Sequence, residues 1–230
     1  MIDYFEKLYE GAACKWGLKP DFILVHFLDL FLKGEVLDLG MGEGRNALFL
    51  AERGFNVEGI DLSKTAIERC LQLAKERNLD IETHVGDLRD FRIPANKYSL
   101  VISTGGSLNF LKKNEIETIV DRMRKGVVKG GFIYVSVIST SDPQYEKLKS
   151  QQTPVDENTF HVSRIGAYVH YFTYEEVKRL FPEFQTIIHL GGLELDFHDK
   201  PHYHGIIYYL GKRVNMHARE RFLDSDLSTV

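Results

Sequence analysis

The chain has 230 residues, of which 43% are hydrophobic and 27% are charged, and its 33 acidic and 29 basic side chains give a formal net charge of -4. A chain of this length buries roughly 70% of its unfolded surface and needs no metal or disulfide to form a core. The mild acidity argues against a protein that follows a nucleic-acid backbone, because that role needs a basic face.

The sequence offers no motif for secretion, disulfides or membrane insertion. Cys14 and Cys70 have neither disulfide nor metal-ligand spacing. The N-terminus lacks a basic region followed by an apolar one, and the longest apolar stretch, residues 22–32, is too short to cross a bilayer. We therefore expect a cytoplasmic protein whose partners include neither nucleic acid nor membrane.

Short apolar runs alternate with longer amphipathic stretches, which is typical of a βαβ succession. In chain order, strands are predicted at residues 36–39, 57–60, 81–85, 100–103, 132–138, 187–190 and 204–210. Helices are predicted from residue 43 or 44 to Gly54, from Ser63 onward, and at 114–125. The spacing in the second helix predicts one buried stripe made of Ile67, Cys70, Leu71 and Ala74.

The pattern changes after residue 138. Residues 139–163 are polar with no clear period, and we predict a lid-like insertion at 139–172 within the main domain. A capping box at residues 173–176 then opens a short helix that ends before Pro182. The predicted organisation is an N-terminal helical cap segment at 1–33, the main domain at 34–214 and a charged tail at 215–230.

A glycine-rich turn joins the first predicted strand to the first helix. Gly40, Gly42 and Gly44 allow a ligand to approach the backbone closely at the carboxyl end of that strand. Asp61 ends the second strand, where an acid can accept hydrogen bonds from two ribose hydroxyls. Asp87 ends the third strand and can accept from an adenine amine, while the following residue, Leu88, covers a ring face.

A nicotinamide dinucleotide is the competing ligand, because an acid after the second strand also occurs in dehydrogenases. Two residues argue against it. Arg45 occupies the position of the last fingerprint glycine, and Asp38 adds negative charge that disfavours a pyrophosphate but suits a cationic amino-acid group.

The segments VLDLGMGEGRN, GIDLS and VGDL resemble those of the class I S-adenosylmethionine-dependent methyltransferases over roughly residues 34–138. GRNALFLAERG and HYHGIIYYLGKR are similar to the TehB-like tellurite-resistance branch. The resemblance implies S-adenosylmethionine as cofactor and S-adenosylhomocysteine as product. It also implies an α/β, Rossmann-like, doubly wound, seven-stranded mixed sheet that ends in an antiparallel hairpin.

The resemblance places the three glycines near the methionyl and ribose groups, and Ser103 and Thr104 beneath the methionine end. Met41 stands where cysteine is frequent in the family and affects only pocket shape. The residues expected at the cofactor are Asp38, Gly40, Met41, Gly42, Gly44, Arg45, Asn46, Asp61, Leu62, Asp87, Leu88, Ser103 and Thr104.

Candidates for the acceptor side come from two places outside the histidines. Tyr9 and Trp16 precede the first strand and either close over the pocket or pack in the core. Ser107 and Asn109 follow the fourth strand, where they either orient the substrate or cap a turn. Arg45 either holds an acidic substrate or pairs with a neighbouring acid.

His198, His202 and His204 form the third group of candidates. His202 and His204 are two residues apart on a predicted strand and share a face, so we predict that they contact or deprotonate the acceptor. A metal site with Asp199 is an alternative, but no spacing here is diagnostic and we predict no metal. For His198, an exposed loop position is an equal alternative.

The sequence therefore predicts methyl transfer from S-adenosylmethionine to a small-molecule acceptor by a monomer or homodimer. The acceptor classes are a chalcogen oxyanion or a small organic acid, amine or thiol. The alternatives are a noncatalytic cofactor-binding module and, less favoured, a nicotinamide-dependent oxidoreductase.

Overall fold

The computed structural model describes residues 1–11, 14–197 and 201–214. The predictions for His198, for Asp199 and for the tail at 215–230 lie outside the described residues. Among the residues that are described, no helix combines the length and the apolar character needed to span a bilayer.

Seven strands form the main sheet and two more form a small separate one. The strands are β1 (Glu35–Leu39), β2 (Asn56–Asp61), β3 (Ile81–Val85), β4 (Tyr98–Ser103), β5 (Val127–Ile138), β6 (Thr159–Val162), β7 (Ala167–His170), β8 (Phe184–Asp196) and β9 (His202–Arg213). The helices are α1 (Ile2–Glu10), α2 (Phe22–His26), α3 (Arg45–Glu52), α4 (Lys64–Glu76), α5 (Lys113–Gly126), α6 (Pro143–Gln151) and α7 (Tyr174–Arg179), with short 3-10 turns at Leu28–Leu30 and Ser107–Phe110.

The main sheet has the strand order β3-β2-β1-β4-β5-β9-β8. The first five strands are parallel, whereas β9 runs antiparallel to β5 and β8 antiparallel to β9. One apolar cluster packs α5 and α7 against the sheet, and a second packs α2, α3 and α4. The predicted seven-stranded, doubly wound mixed sheet with its final hairpin is confirmed.

The two helices that follow β1 and β2 begin close to where the sequence predicts. One position of the stripe predicted to be buried is exposed. Gly44 caps α3 in the left-handed conformation, and the Ser63 hydroxyl accepts a hydrogen bond from the Ala66 amide at the start of α4. The predicted stripe on α4 is wrong at Leu71, which is 43% exposed. Leu73, which is partly buried, packs against the core cluster that contains Ile67, Cys70 and Ala74.

The insertion has more structure than its polar sequence indicates. It contains α6 and the antiparallel pair β6 and β7. These elements enclose a small apolar cluster of Tyr145, Phe160, Val169 and Tyr171. The periodicity is weak because strands of four residues offer only two inward positions each.

Candidate active site

A cleft of about 840 Å3 lies at the carboxyl ends of β1 to β4. It adjoins the point between β1 and β4 where the strand order reverses, which is where open α/β sheets bind ligands. α1 and Trp16 cover one side, and the insertion and the β8–β9 hairpin form the opposite wall. The predicted residues that line it are Tyr9, Trp16, Gly40, Met41, Gly42, Arg45, Asn46, Asp61, Leu62, Asp87, Leu88, Thr104, Ser107, His202 and His204.

The turn after β1 requires glycine at two positions that face the cleft. Gly40 and Gly42 have positive φ angles of 75° and 54°, which disfavour residues with a side chain. A Cβ at Gly40 would overlap the Ser107 hydroxyl, and one at Gly42 would lie 2.6 Å from the Tyr9 hydroxyl. The bare backbone of this turn therefore lets both hydroxyls approach it.

Asp61 is fixed in place by backbone donors. Its two carboxylate oxygens accept hydrogen bonds from the Gly42 amide at 2.8 Å and from the Ser63 amide at 2.9 Å. Burial raises the pKa of this carboxyl group despite those donors. The acid therefore links the glycine turn to the start of α4 while it lines the cleft.

Asp87 is held by both the backbone amide and the side chain of Arg89, and the amide donates to its Oδ1 at 2.9 Å. Arg89 contacts both of its oxygens, at 3.0 Å from Nε and 2.6 Å from Nη2. These hydrogen bonds lower the pKa of Asp87, which is only partly buried. An ionised acceptor is thus available at the tip of β3.

Three residues expected at the cofactor lie behind the cleft lining. Gly44 packs against Cys70, and the Ser103 hydroxyl donates to the Leu39 carbonyl at 3.1 Å, tying β4 to β1. Asp38 is 1% exposed, and its Oδ1 has no hydrogen-bond partner among the described residues. Burial raises the pKa of Asp38 to about 7, although the nearby Arg45 opposes that shift.

Asn46, which lines the cleft, connects α3 to the segment before α2 and to the end of β4. Its Oδ1 accepts from the Asp21 amide at 2.9 Å, and its Nδ2 donates to the Thr104 hydroxyl at 2.9 Å. Thr104 is thereby oriented at the end of β4. Met41 packs its sulfur against Gly59 of β2, where any larger residue would clash with it.

Glu43 holds the N-terminal segment over the cleft. Its carboxylate accepts from the Cys14 amide at 2.8 Å and from the Lys15 amide at 2.7 Å, and it pairs with Arg69 at 3.1 Å. Glu43 thus pairs with Arg69, and among the described residues Arg45 forms no ion pair with either of the two acids expected as its partner, Glu43 and Asp61. The backbone of the cap segment is thus anchored to the glycine turn itself.

A second anchor fixes α1. The Glu6 carboxylate accepts from the amide and the hydroxyl of Thr65, at 3.1 and 2.6 Å, in the first turn of α4. These hydrogen bonds lower the pKa of Glu6. Tyr9, on the same helix, is 6% exposed and points to the glycine turn.

The hairpin wall carries the two predicted histidines. Their Nε2 atoms are 2.9 Å apart, and the Asp196 Oδ2 lies 3.7 Å from the His204 Nε2. The Nδ1 of His204 lies 2.9 Å from the Oδ2 of Asp142, which is 2% exposed. The hydrogen bond to Asp142 raises the pKa of His204.

Asn109 is buried away from the cleft. Its Nδ2 donates to the carbonyls of Ile138 and His170, and its Oδ1 accepts from the Ile138 amide. The structure thus places Asn109 as a connection between the turn after β4 and the insertion, whereas Ser107 does line the cleft.

Comparison with known proteins gives the family. Residues 36–131 match a family model described as a methyltransferase domain. The probable S-adenosyl-L-methionine-dependent methyltransferase TehB of Haemophilus influenzae is 30% identical over 141 residues, which are 61% of this chain and 46% of the relative. A 2-heptyl-1-hydroxyquinolin-4(1H)-one methyltransferase of Mycobacteroides abscessus is 31% identical over 112 residues, which are 44% of this chain and 49% of the relative.

A solved structure supports the same fold. The crystal structure of TehB from Haemophilus influenzae aligns with a TM-score of 0.67 at 20% identity, covering 92% of this chain and 66% of that one. The chain carries an S-adenosylmethionine-dependent methyltransferase domain. It spans just under half the length of the curated relatives described above.

In the methyltransferase domain, the cofactor class predicted from the glycine turn and the two downstream acids is confirmed. Sequence reasoning missed three residues that organise the cleft, namely Glu43, Asp142 and Asp196. Asp142 precedes Pro143, and this pair is a common helix start that would have predicted α6. Asp196 lies outside the predicted strands at 187–190 and 204–210, because Gly191 and Gly192 interrupt the apolar alternation before it.

Proposed function

We propose that this protein transfers a methyl group from S-adenosylmethionine to a small-molecule acceptor. The observation that carries the proposal is one continuous cleft with the two acids of β2 and β3 at one end and the hairpin wall at the other. Its volume of about 840 Å3 lies within the range of roughly 300–1,000 Å3 for small-ligand sites. A cytoplasmic monomer or homodimer belongs to the same proposal.

We infer the cofactor-binding end of the cleft from its two carboxylates and from the glycine turn after β1. Asp61 has lone pairs directed into the cleft and is immobilised by two amides, which suits the pair of ribose hydroxyls. Asp87 is ionised beside Arg89 and accepts from the adenine amine, while Leu88 packs on the ring. Asp38 lies behind this lining with a pKa raised to about 7, and a cationic methionine end bound nearby would favour its ionised form.

When bound, S-adenosylmethionine supplies an electrophilic methyl group on a sulfonium. The task of the chain is then to orient an acceptor and to exclude water. Tyr9 and Trp16 cover the cleft, and the Glu43 anchor keeps their segment closed over it.

The acceptor is proposed to lie against His202 and His204. Asp142 holds the Nδ1 side of His204, so its Nε2 is turned toward the cleft. An imidazole held in this way can orient a polar acceptor or receive its proton near neutral pH.

Two titrations and a transfer assay test the proposal. Isothermal titration calorimetry should detect S-adenosylhomocysteine and not NADH. A labelled-methyl screen over small organic acids, amines and thiols, with selenite and tellurite, should identify an acceptor. Tight binding of S-adenosylhomocysteine without turnover on any acceptor would favour the noncatalytic module instead, and binding of NADH would favour an oxidoreductase.

Two variants separate the ends of the cleft. Asp61→Ala removes two hydrogen bonds to a charged acceptor and should weaken S-adenosylhomocysteine binding about a hundredfold, or about 3 kcal/mol. His204→Ala should leave that binding intact and depress turnover. Asp80→Ala and His26→Ala are the matched exposed controls. Unchanged turnover in His204→Ala would remove the histidine from the proposal.

A further inference from the structure

Three potential metal ligands converge on the cleft side of the β8–β9 hairpin. Asp196 lies directly opposite His202 in the antiparallel register, and His204 follows two residues later on the same face. One ligand atom from each of the three residues lies within 4.8 Å of the others. We refer to Asp196, His202 and His204 as the hairpin cluster.

The spacing within the hairpin cluster suits a tetrahedral metal. Bonds of about 2.0–2.1 Å at tetrahedral angles place two ligand atoms about 3.3 Å apart. The His202 and His204 Nε2 atoms are 2.9 Å apart, and the Asp196 Oδ2 lies 3.7 Å from the His204 Nε2. The two distances lie on either side of the ideal value and within about half an ångström of it, and the third pair, between Asp196 and His202, lies within 4.8 Å.

A buried carboxylate supports one of the ligands from behind. The Oδ2 of Asp142 lies 2.9 Å from the His204 Nδ1 and also accepts from the Gly205 amide at 3.1 Å, while its Oδ1 accepts from the Gln144 amide. In the neutral imidazole, a proton on Nδ1 is donated to Asp142, and the Nε2 lone pair then faces the cluster. A carboxylate that holds the far nitrogen of an imidazole is the usual support of a metal-binding histidine.

A second group of similar composition in the described part of the chain lies away from the cleft. Glu58, Glu82 and His84 also bring their ligand atoms together. There the Glu58 carboxylate already pairs with the Lys97 ammonium at 2.6 Å and accepts from the Tyr98 hydroxyl at 2.7 Å. That group does not line the cleft, so a metal held there could not meet an acceptor in the cleft.

We propose that the hairpin cluster binds a divalent transition metal of the zinc class through two imidazole nitrogens and one carboxylate. Three protein ligands leave one tetrahedral position open, and all three side chains line the cleft. The open position takes an acceptor with a thiol or hydroxyl, bound as the deprotonated atom, with the proton released to solvent. The assignment of the acceptor rests on the proposed function, whereas metal binding itself does not.

Calorimetry on the full chain tests the site. After treatment with chelator, the protein should bind one Zn2+, and Mg2+ should not compete, because Mg2+ prefers oxygen ligands. His202→Ala should lower zinc affinity at least a hundredfold. Asp142→Asn, which retains a good helix cap, should lower it ten- to a hundredfold. The double variant His26→Ala with His161→Ala changes two exposed histidines and should bind like the wild type.

A second measurement needs no variant and also examines the open position. X-ray absorption at the zinc edge should show nitrogen and oxygen ligands with imidazole scattering. In the Co2+-loaded protein, adding 2-mercaptoethanol should produce a sulfur-to-metal charge-transfer band. Absence of zinc binding, or zinc binding that survives in His202→Ala, would overturn the metal site, and absence of the band would overturn the open position.

The same samples are titrated with S-adenosylhomocysteine to keep the two proposals apart. Binding of S-adenosylhomocysteine without zinc binding defeats only the hairpin cluster as a metal site. Zinc binding without S-adenosylhomocysteine binding defeats the proposed function and leaves the metal site standing.

Discussion

The two ends of the cleft are built in different ways. At the proposed cofactor end, Gly42 and Asp61 are 19 positions apart, and they meet because Gly42 follows β1 and Asp61 ends the neighbouring parallel strand β2. At the opposite wall, Asp142 and His204 are 62 positions apart and meet only because the insertion packs on the final hairpin. The chemistry of the first end is therefore present in local motifs, whereas that of the second depends on long-range packing.

The largest expected effect is at the cofactor end and comes from Asp38. Its pKa of about 7 in the folded protein exceeds its ordinary value of 3.8 because of burial, so the folded state retains a proton that the unfolded chain releases. The free energy of unfolding should therefore fall as pH rises from about 4 through 7, by about 4 kcal/mol from this group.

Denaturant unfolding at pH 5 and pH 8 measures this effect. Asp38→Asn removes the titrating group, so the variant should lose the downward slope and be more stable than the wild type at pH 8. Asp80→Asn, at an exposed position, is the control and should keep the slope. Equal slopes in the wild type and Asp38→Asn would show that another group governs stability in this range.

The next largest effect is expected where the turn after β4 meets the insertion. Asn109 is fully buried and makes three hydrogen bonds to backbone groups of Ile138 and His170. Asn109→Ala should lower the free energy of unfolding by about 3 kcal/mol, because buried backbone groups lose their partners. Urea unfolding measures the change, and Asn114→Ala on the exposed start of α5 is the control.

Asn109→Ala also distinguishes the structural role from the substrate role that sequence alone allowed. Normal stability with a raised KM for the acceptor would restore Asn109 to the substrate site. A stability loss that accompanies faster proteolysis of the insertion would confirm that this residue holds the far wall in place.

The end of the cleft that is built from local motifs could be predicted from the sequence, whereas the end that depends on long-range packing could not. The strand order, the capping residue Ser63 and the acids Asp61 and Asp87 follow from periodicity and from motifs of a few residues. The amide of Asn109 gives no sign in the sequence of whether it faces a ligand or a carbonyl 61 positions away. The pairing of Asp142 with His204 was equally hidden, because no short-range pattern connects an insertion to a hairpin.

Glu43 lies where the two regions meet and should have an intermediate effect. Its 5% exposed side chain anchors the amides of Cys14 and Lys15. Glu43→Gln removes the charge from both hydrogen bonds and from the ion pair with Arg69. Opening of the N-terminal segment should become easier by about 2 kcal/mol.

Hydrogen exchange measured by mass spectrometry should show the Glu43→Gln effect locally. A change of this size corresponds to exchange about thirty times faster in the segment around residue 15. Glu52→Gln removes a more exposed ion pair with Arg77 and should change exchange by less than twofold. Uniform acceleration over the whole chain would mean that Glu43 supports the core and not only the cap segment.

The smallest expected effect tests whether hydrophobic periodicity predicts burial correctly on α4, the helix that follows Asp61. Leu71 fits the buried spacing of α4, yet it is 43% exposed, while Ile67 on the same helix is 3% exposed. Leu71→Lys should change the free energy of unfolding by less than about 0.5 kcal/mol, whereas Ile67→Ala should cost about 2–4 kcal/mol. Urea unfolding of both variants under one set of conditions gives the comparison. A cost above about 2 kcal/mol for Leu71→Lys would mean that this face of α4 is covered in solution. The burial of Leu71 that periodicity predicts would then be correct, although the side chain is exposed in the single chain.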